Sequence, residues 1–237
     1  MSTYIEDSEI SKFNRDKSSN WHFVDEDFIS TLKFSQKLYA QTKAFDPTLG
    51  PAINLWGFGE NGEWSNPPNK AKLESIRTLV GFDSITIDTK NFRVKKTNPE
   101  VKLNLGAIAK GYAVDVVATY LDKIGSTSYM IEIGGEIKAK GKKDDGDAWR
   151  VGIETPHSEG RFIRKILTLN DMAMATSGNY RNYFEKDGVR YSHILSPETL
   201  MPVNHKLASV TVFLKNCVEA DGWATALLVL GPKEALN

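Results

Sequence analysis

Apolar and polar residues alternate along this 237-residue chain in two rhythms, one helical and one of strand type. Residues 27–42 set Phe28, Leu32, Leu38 and Tyr39 among polar neighbours, predicting a helix that runs into the break Phe45-Asp46-Pro47-Thr48-Leu49-Gly50-Pro51. Glycines, aromatics and prolines over residues 54–68 predict a long ordered loop, with a short helix near residues 69–80. Strands are predicted at 84–88 and 92–95, joined by a turn through Thr89-Lys90-Asn91. Ile108, Tyr112, Val116, Tyr120 and Ile124 then recur every four residues, predicting a helix of about four turns that Gly125 stops. Strand character returns at 128–133, 136–139, 149–154, 163–169, 172–176, 189–194 and 209–213. A last helix, 217–230, is expected to halt at Gly231-Pro232. This order predicts an α+β chain: a mixed β-sheet core with packed helices and a smaller flexible lobe.

Composition removes several classes. Thirty basic residues balance thirty acidic ones, so no bulk positive field argues for nucleic acid. The longest apolar runs, such as 224–230, fall far short of the ~20 residues a membrane helix needs. Cys217 is the only cysteine, which excludes an intrachain disulfide and leaves the redox compartment open. The polar start, Met1-Ser2-Thr3-Tyr4 followed by Ile5-Glu6-Asp7, carries no export signal.

The segment from Leu103 to Asp115 carries the strongest chemical signal. An extended apolar entry meets Gly106-Ala107-Ile108-Ala109-Lys110-Gly111, where small residues let a ligand approach the backbone and free N–H groups of a new helix favour anions. A lysine in a first turn opposes the helix dipole, so an anion is expected beside Lys110. The spacing matches neither a Walker A loop nor a G-x-G-x-x-G fingerprint. Asp221 and Thr225 lie four apart at the start of the last helix, so their oxygens share a face and suit Mg²⁺. The same pair also reads as an aspartate complementing the dipole and a threonine bonding its own turn. His193, in a strand ending at Pro197, suits a general base towards a hydroxyl or an ordinary strand position. The turns Thr176-Ser177-Gly178-Asn179 and Gly134-Gly135-Glu136 either admit a nucleotide closely or simply turn the chain.

Together these segments resemble the ApbE family of FAD:protein FMN transferases. The matching order begins with Phe45-Asp46-Pro47-Thr48-Leu49-Gly50-Pro51 and Asn54-Leu55-Trp56-Gly57-Phe58-Gly59, then Leu105-Gly106-Ala107-Ile108-Ala109-Lys110-Gly111-Tyr112-Ala113-Val114-Asp115. It continues with Gly134-Gly135-Glu136, Thr176-Ser177-Gly178-Asn179-Tyr180, Ser192-His193-Ile194-Leu195-Ser196-Pro197 and Ala220-Asp221-Gly222-Trp223-Ala224-Thr225-Ala226. The resemblance implies a single ApbE-like domain over residues 1–237 that transfers the FMN half of FAD to a serine or threonine hydroxyl of a target flavoprotein. The new bond is a phosphodiester, AMP leaves, and a redox-pump subunit is one acceptor of this kind. It implies Mg²⁺ held by Asp221, Thr225 and the carbonyl of Ala107. FAD contacts are expected at Tyr4, Ala44, Phe45, Asp46, Asn104, Lys110 and Leu195, and His193 is expected to be the base.

The chain departs from the family pattern in three ways. Asn104 stands where aspartate is frequent, and Ser196-Pro197-Glu198-Thr199-Leu200 stands where Asp-Pro-x-x-Gly is common. The match begins almost at Met1 and ends without the family's closing strand. The expectation is therefore a fragment, lacking the leader, first strand and last strand, of a periplasmic or inner-membrane-anchored protein. Two alternatives use the same residues: an FAD pyrophosphatase giving FMN and AMP, and a non-catalytic FAD-binding protein.

Overall fold

The computed structural model describes residues 1–59, 62, 66–156, 160 and 162–236. In chain order its elements are α1 (Glu9–Arg15), β1 (His22–Phe23), α2 (Glu26–Thr42), α3 (Gly50–Leu55), α4 (Lys70–Ser75), β2 (Ile85–Asp88), β3 (Arg93–Lys96) and α5 (Ala109–Lys123). There follow β4 (Tyr129–Ile133), β5 (Glu136–Lys140), β6 (Trp149–Glu154), β7 (Ile163–Leu169), β8 (Met172–Gly178), β9 (Tyr183–Lys186), β10 (Val189–Ser192), β11 (Ser209–Leu214) and α6 (Cys217–Glu234). Contacts divide the chain into two compact units: Met1–Gly106 with Tyr183–Asn204, and Ala107–Asn182 with His205–Asn237. The α+β class holds, and every strand pair among the described residues is antiparallel, where a mixed sheet was expected.

The first unit joins helices to a small sheet ordered β1-β3-β2 and a β9–β10 hairpin. Helix α2 starts where the Asp25 carboxylate accepts the Phe28 N–H at 2.6 Å. Residues 45–51, read as a break, instead lead into α3, because Pro51 lies in its first turn, where a missing N–H costs nothing. Residues 60, 61 and 63–65 of the expected loop lie outside the described residues. Trp56, Leu49, Ala52, Leu73, Leu195 and Leu200 form one core cluster. Leu200 adopts φ 58°, the left-handed region, yet is fully buried, and its carbonyl accepts the Trp56 indole N–H at 2.7 Å. A leucine in that region pays a Cβ penalty that a glycine would not.

The second unit is built on a sheet ordered β11-β8-β5-β4, with α6 packed on β8 and β11 and α5 packed on α6. The hairpin β6–β7 completes it. Apolar periodicity located α5, but its buried face is Gly111, Val114 and Ala118. Val114 and Ala118 pack with Tyr129, Ile131, Ala173 and Cys217, while Tyr120 is 62% exposed and Val116 and Ile124 are also exposed. The expected stop of α6 is a kink: Gly231 has φ 77°, and the helix resumes to Glu234. Pro232 has no N–H to give the Leu228 carbonyl, so the His205 Nε2–H donates to it at 2.8 Å.

Candidate active site

Helix α5 opens after Ile108 without a side-chain cap, so its first N–H groups need partners from elsewhere. One comes from α6, where the Asp221 carboxylate accepts the Gly111 N–H at 3.0 Å. This contact requires a close approach of the two helices. A Cβ on Gly111 would stand 2.4 Å from the Cys217 carbonyl oxygen and 2.8 Å from Asp221 Cβ. The glycine expected to admit a ligand therefore admits α6. Asp115, one turn further along α5, accepts the Val218 N–H at 2.9 Å and an ion pair from Lys138 at 2.6 Å, which pins the start of α6 a second time.

Lys110 Nζ lies 2.5 Å from Oε2 of Glu136, the first residue of β5. Glu136 is 1% exposed and Lys110 is 45% exposed, so the pair joins a buried carboxylate to a cation that reaches solvent. Gly134 and Gly135 make the preceding turn with φ 63° and 100°, and a Cβ at Gly134 would come within 2.9 Å of Lys110 Cδ. This turn gives passage to the lysine stem. Burial pushes the Glu136 carboxyl above its ordinary range, against the opposing pull of Lys110.

Asp221 is 3% exposed. Burial first, and the charge of Glu136 second, push its carboxyl up to about 7, while Lys110 and the Gly111 N–H pull the other way. Neither of the simpler alternatives for the Asp221–Thr225 pair matches the geometry. The carboxylate bonds a neighbouring helix, and the Thr225 hydroxyl pairs with the Ser177 hydroxyl at 3.0 Å. A desolvated carboxylate with one hydrogen-bond donor and a second carboxylate for company suits a divalent cation, which supplies the missing positive charge. The residues therefore fit Mg²⁺. Ala107 sits half-buried just before the first turn of α5. No group of three His, Cys, Asp or Glu side chains gathers among the described residues, and the expected ligand set contains one such residue.

The remaining candidates belong to the first unit. Ala44, Phe45 and Asp46 are buried. The Asp46 carboxylate accepts the Thr48 N–H and hydroxyl at 2.8 and 2.6 Å, and the Thr48 hydroxyl accepts the Gly81 N–H at 2.7 Å. Asn104 donates its backbone N–H to the Pro47 carbonyl at 2.6 Å, and its side-chain oxygen accepts the Gly106 N–H at 2.9 Å. An aspartate would supply the same acceptor, so the replacement keeps the turn and removes only the charge. Asn104 and the 75%-exposed Tyr4 line a cleft of about 630 Å³, together with Asn14, Arg15, Asn54 and Lys102. Sequence reasoning missed Asn14, whose amide bonds both the carbonyl and the N–H of Leu103 at 2.7 Å.

His193 stands just beyond β10, which ends two residues earlier than its strand was expected to reach. Its ring meets Phe58 edge-on at 6.3 Å, and Phe58, Phe184, Tyr191 and Trp56 continue as an aromatic cluster. Leu195 is buried and bridges to Pro202, and the Ser196 hydroxyl accepts the Thr199 N–H at 3.4 Å. Ser196 thus supplies the acceptor of a turn bond that an aspartate is also able to make.

The family model described as ApbE matches residues 1–237. A FAD:protein FMN transferase of Vibrio cholerae is 45% identical over 237 residues, covering all of this chain and 70% of that relative. A protein of the same name from Haemophilus influenzae is 42% identical over 242 residues, again covering all of this chain and 70% of the relative. Among solved structures, the flavin transferase ApbE of Vibrio cholerae superposes with a TM-score of 0.90 at 42% identity, over all of this chain and 75% of that one. The apo form of the Pseudomonas stutzeri flavinyl transferase ApbE gives 0.89 at 41% identity, over all of this chain and 73% of that one. The chain belongs to the ApbE family, a family of enzymes.

Proposed function

We propose that this protein transfers the FMN moiety of FAD to a serine or threonine hydroxyl of a target flavoprotein. The acceptor oxygen attacks the phosphorus of the FMN half, the pyrophosphate P–O bond breaks, and AMP leaves with the bridging oxygen. In this reading His193 takes the hydroxyl proton, because a serine or threonine is a poor nucleophile until a positioned base removes it. Lys110 meets the pyrophosphate and lowers its repulsion of the nucleophile. Asp221, Thr225 and the Ala107 carbonyl hold Mg²⁺, which when bound supplies Lewis-acid stabilisation of charge on the leaving phosphate. Tyr4, Ala44, Phe45, Asp46, Asn104 and Leu195 orient the flavin dinucleotide. Residues 1–237 serve as a single ApbE-like flavin transferase domain.

The observation that carries the reading is the first turn of α5, where the consecutive residues Lys110 and Gly111 hold the buried carboxylates of Glu136 and Asp221. A site of that charge suits a metal-bound pyrophosphate better than simple flavin storage. By family likeness the acceptor is a flavoprotein such as a redox-pump subunit, and the full-length protein acts on the periplasmic side, anchored or free. Among the described residues, no helix is long and apolar enough to cross a membrane.

Incubation with FAD, Mg²⁺ and a flavoprotein acceptor domain tests the proposal. Transfer gives AMP together with covalent flavin fluorescence on the acceptor. AMP and free FMN without labelling would replace transfer by hydrolysis, and neither product would leave a binding protein.

A further inference from the structure

The second unit contains an excess of buried negative charge that the proposed ligand set does not account for. Glu136 and Asp221 are both buried, and they influence one another electrostatically. Lys110 is the single cation paired to either of them among the described residues. The neighbouring Lys138 is committed to Asp115 at 2.6 Å, and the other oxygen of Asp115 is occupied by the Val218 N–H. Two carboxylates and one ammonium leave a deficit of one positive charge in a desolvated place, which is costly unless a proton or a cation meets it.

Lys110 and Gly111 are consecutive, and each engages a different member of the pair, Lys110 through its side chain and Gly111 through its N–H. The glycine turn at Gly134 and Gly135 leaves room for the lysine stem to reach Glu136. Lysine ammonium groups sit on flexible stems, and this one is nearly half exposed, so it is able to exchange its partner.

We propose that Glu136 is a positioning residue, the shared counter-ion of the site. It holds Lys110 while no flavin is bound and contributes the second negative charge that draws a divalent cation to Asp221. Lys110 and the metal then compete for one carboxylate pair in the flavin-free protein. When a pyrophosphate arrives, Lys110 exchanges Glu136 for phosphate, and Glu136 is left facing the cation. The proposal rests on the reading that Asp221 holds the metal.

Mn²⁺ binding, followed by the electron paramagnetic resonance of the free ion, tests this without any turnover. With FAD present, Glu136→Gln is expected to weaken Mn²⁺ binding about tenfold or more, the range typical of residues just outside a metal's ligands. Glu136→Asp should recover part of that loss, because the charge is restored. Without FAD, Lys110→Met is expected to bind Mn²⁺ several-fold more tightly than the wild type, since a competitor is gone. Unchanged binding in Glu136→Gln overturns the proposal, as does equal or weaker flavin-free binding in Lys110→Met. A purely structural salt bridge would weaken binding in both variants, so the opposite signs separate the two cases. Wild-type protein that binds no Mn²⁺ with or without FAD would overturn the metal reading of Asp221 itself.

Discussion

Two buried aspartates, one in each compact unit, differ in what meets their charge. Asp46, in the first, accepts the N–H and hydroxyl of Thr48 and a backbone hydrogen bond from Phe82. Asp221, in the second, accepts one N–H, from Gly111, and stands within the field of Glu136. Burial raises both carboxyls above their ordinary range, Asp221 to about 7. The lysines repeat the contrast. Lys96 is fully buried and donates to the carbonyls of Phe13 at 3.1 Å and Val101 at 3.2 Å, while Lys110 is half exposed and paired with a carboxylate. Asp46 and Lys96 each have several neutral partners within the fold. Asp221 and Glu136 share a single ammonium, Lys110, and keep the capacity to meet a cation.

The sharpest way to break this comparison is to remove each aspartate in turn. Asp221→Ala should abolish the Mg²⁺ dependence of AMP release and lower turnover about 10³-fold, the equivalent of several kcal/mol of lost charge stabilisation. Asp46→Ala should instead leave Mg²⁺ dependence intact and cost about 1–3 kcal/mol of stability for each donor stranded, read by denaturant unfolding. Within the first unit, His193→Ala should reduce transfer by about 10²–10⁴-fold with little change in melting temperature, which a stopped assay of flavin labelling would measure. A mutant retaining full labelling would remove His193 as the base.

Smaller effects probe the packing that supports the two sites. Gly111→Ala forces α5 and α6 apart, so a loss of about 1–3 kcal/mol is expected, accompanied by weaker Mg²⁺ stimulation. At Leu200 the usual ranking should invert: glycine should be more stable than alanine by about 1 kcal/mol, since both lose the buried side chain but only glycine relieves φ 58°. Thermal melts of the two variants decide it.

The gentlest test uses pH. Because the folded carboxyl of Asp221 titrates at about 7 rather than 3.8, the fold favours its protonated form. Its contribution is complete below 3.8 and is lost as pH rises through about 7. In EDTA, the wild type should therefore lose melting temperature across that interval relative to Asp221→Asn, and Mg²⁺ should reverse the loss.

Local pattern made much of the fold legible. Strands β6 and β7 fall on the residues predicted for them, and α2 begins one residue before its expected start, because their patterns and turn residues are local. Helix α1 and strand β1 are short and held by distant partners, Leu103 and β3, so no local pattern marks them, and β9 is a four-residue arm of the hairpin with β10. The same limit applied inside α5. A stripe at every fourth residue revealed a helix, but two apolar faces were available and only packing against α6 and the sheet chose between them. In the site, residue types and spacing pointed to an oxygen-ligand pair and an anion beside Lys110. They did not reveal that this chain supplies an anion of its own in Glu136.

The order of motifs, the helix-forming and turn-forming residues, and the identity of each donor and acceptor are properties of the sequence by itself, and they are enough to assign the ApbE family. Tertiary structure alone decided which of those groups lose water. Burial turned Asp221 from a helix-start aspartate into a strained charge, made Gly111 a helix contact, and tied Lys110 to Glu136 across 26 positions of sequence. The physical reason is that desolvation and Coulomb interaction depend on what surrounds a group in space, and those surroundings come from segments that the linear pattern keeps apart.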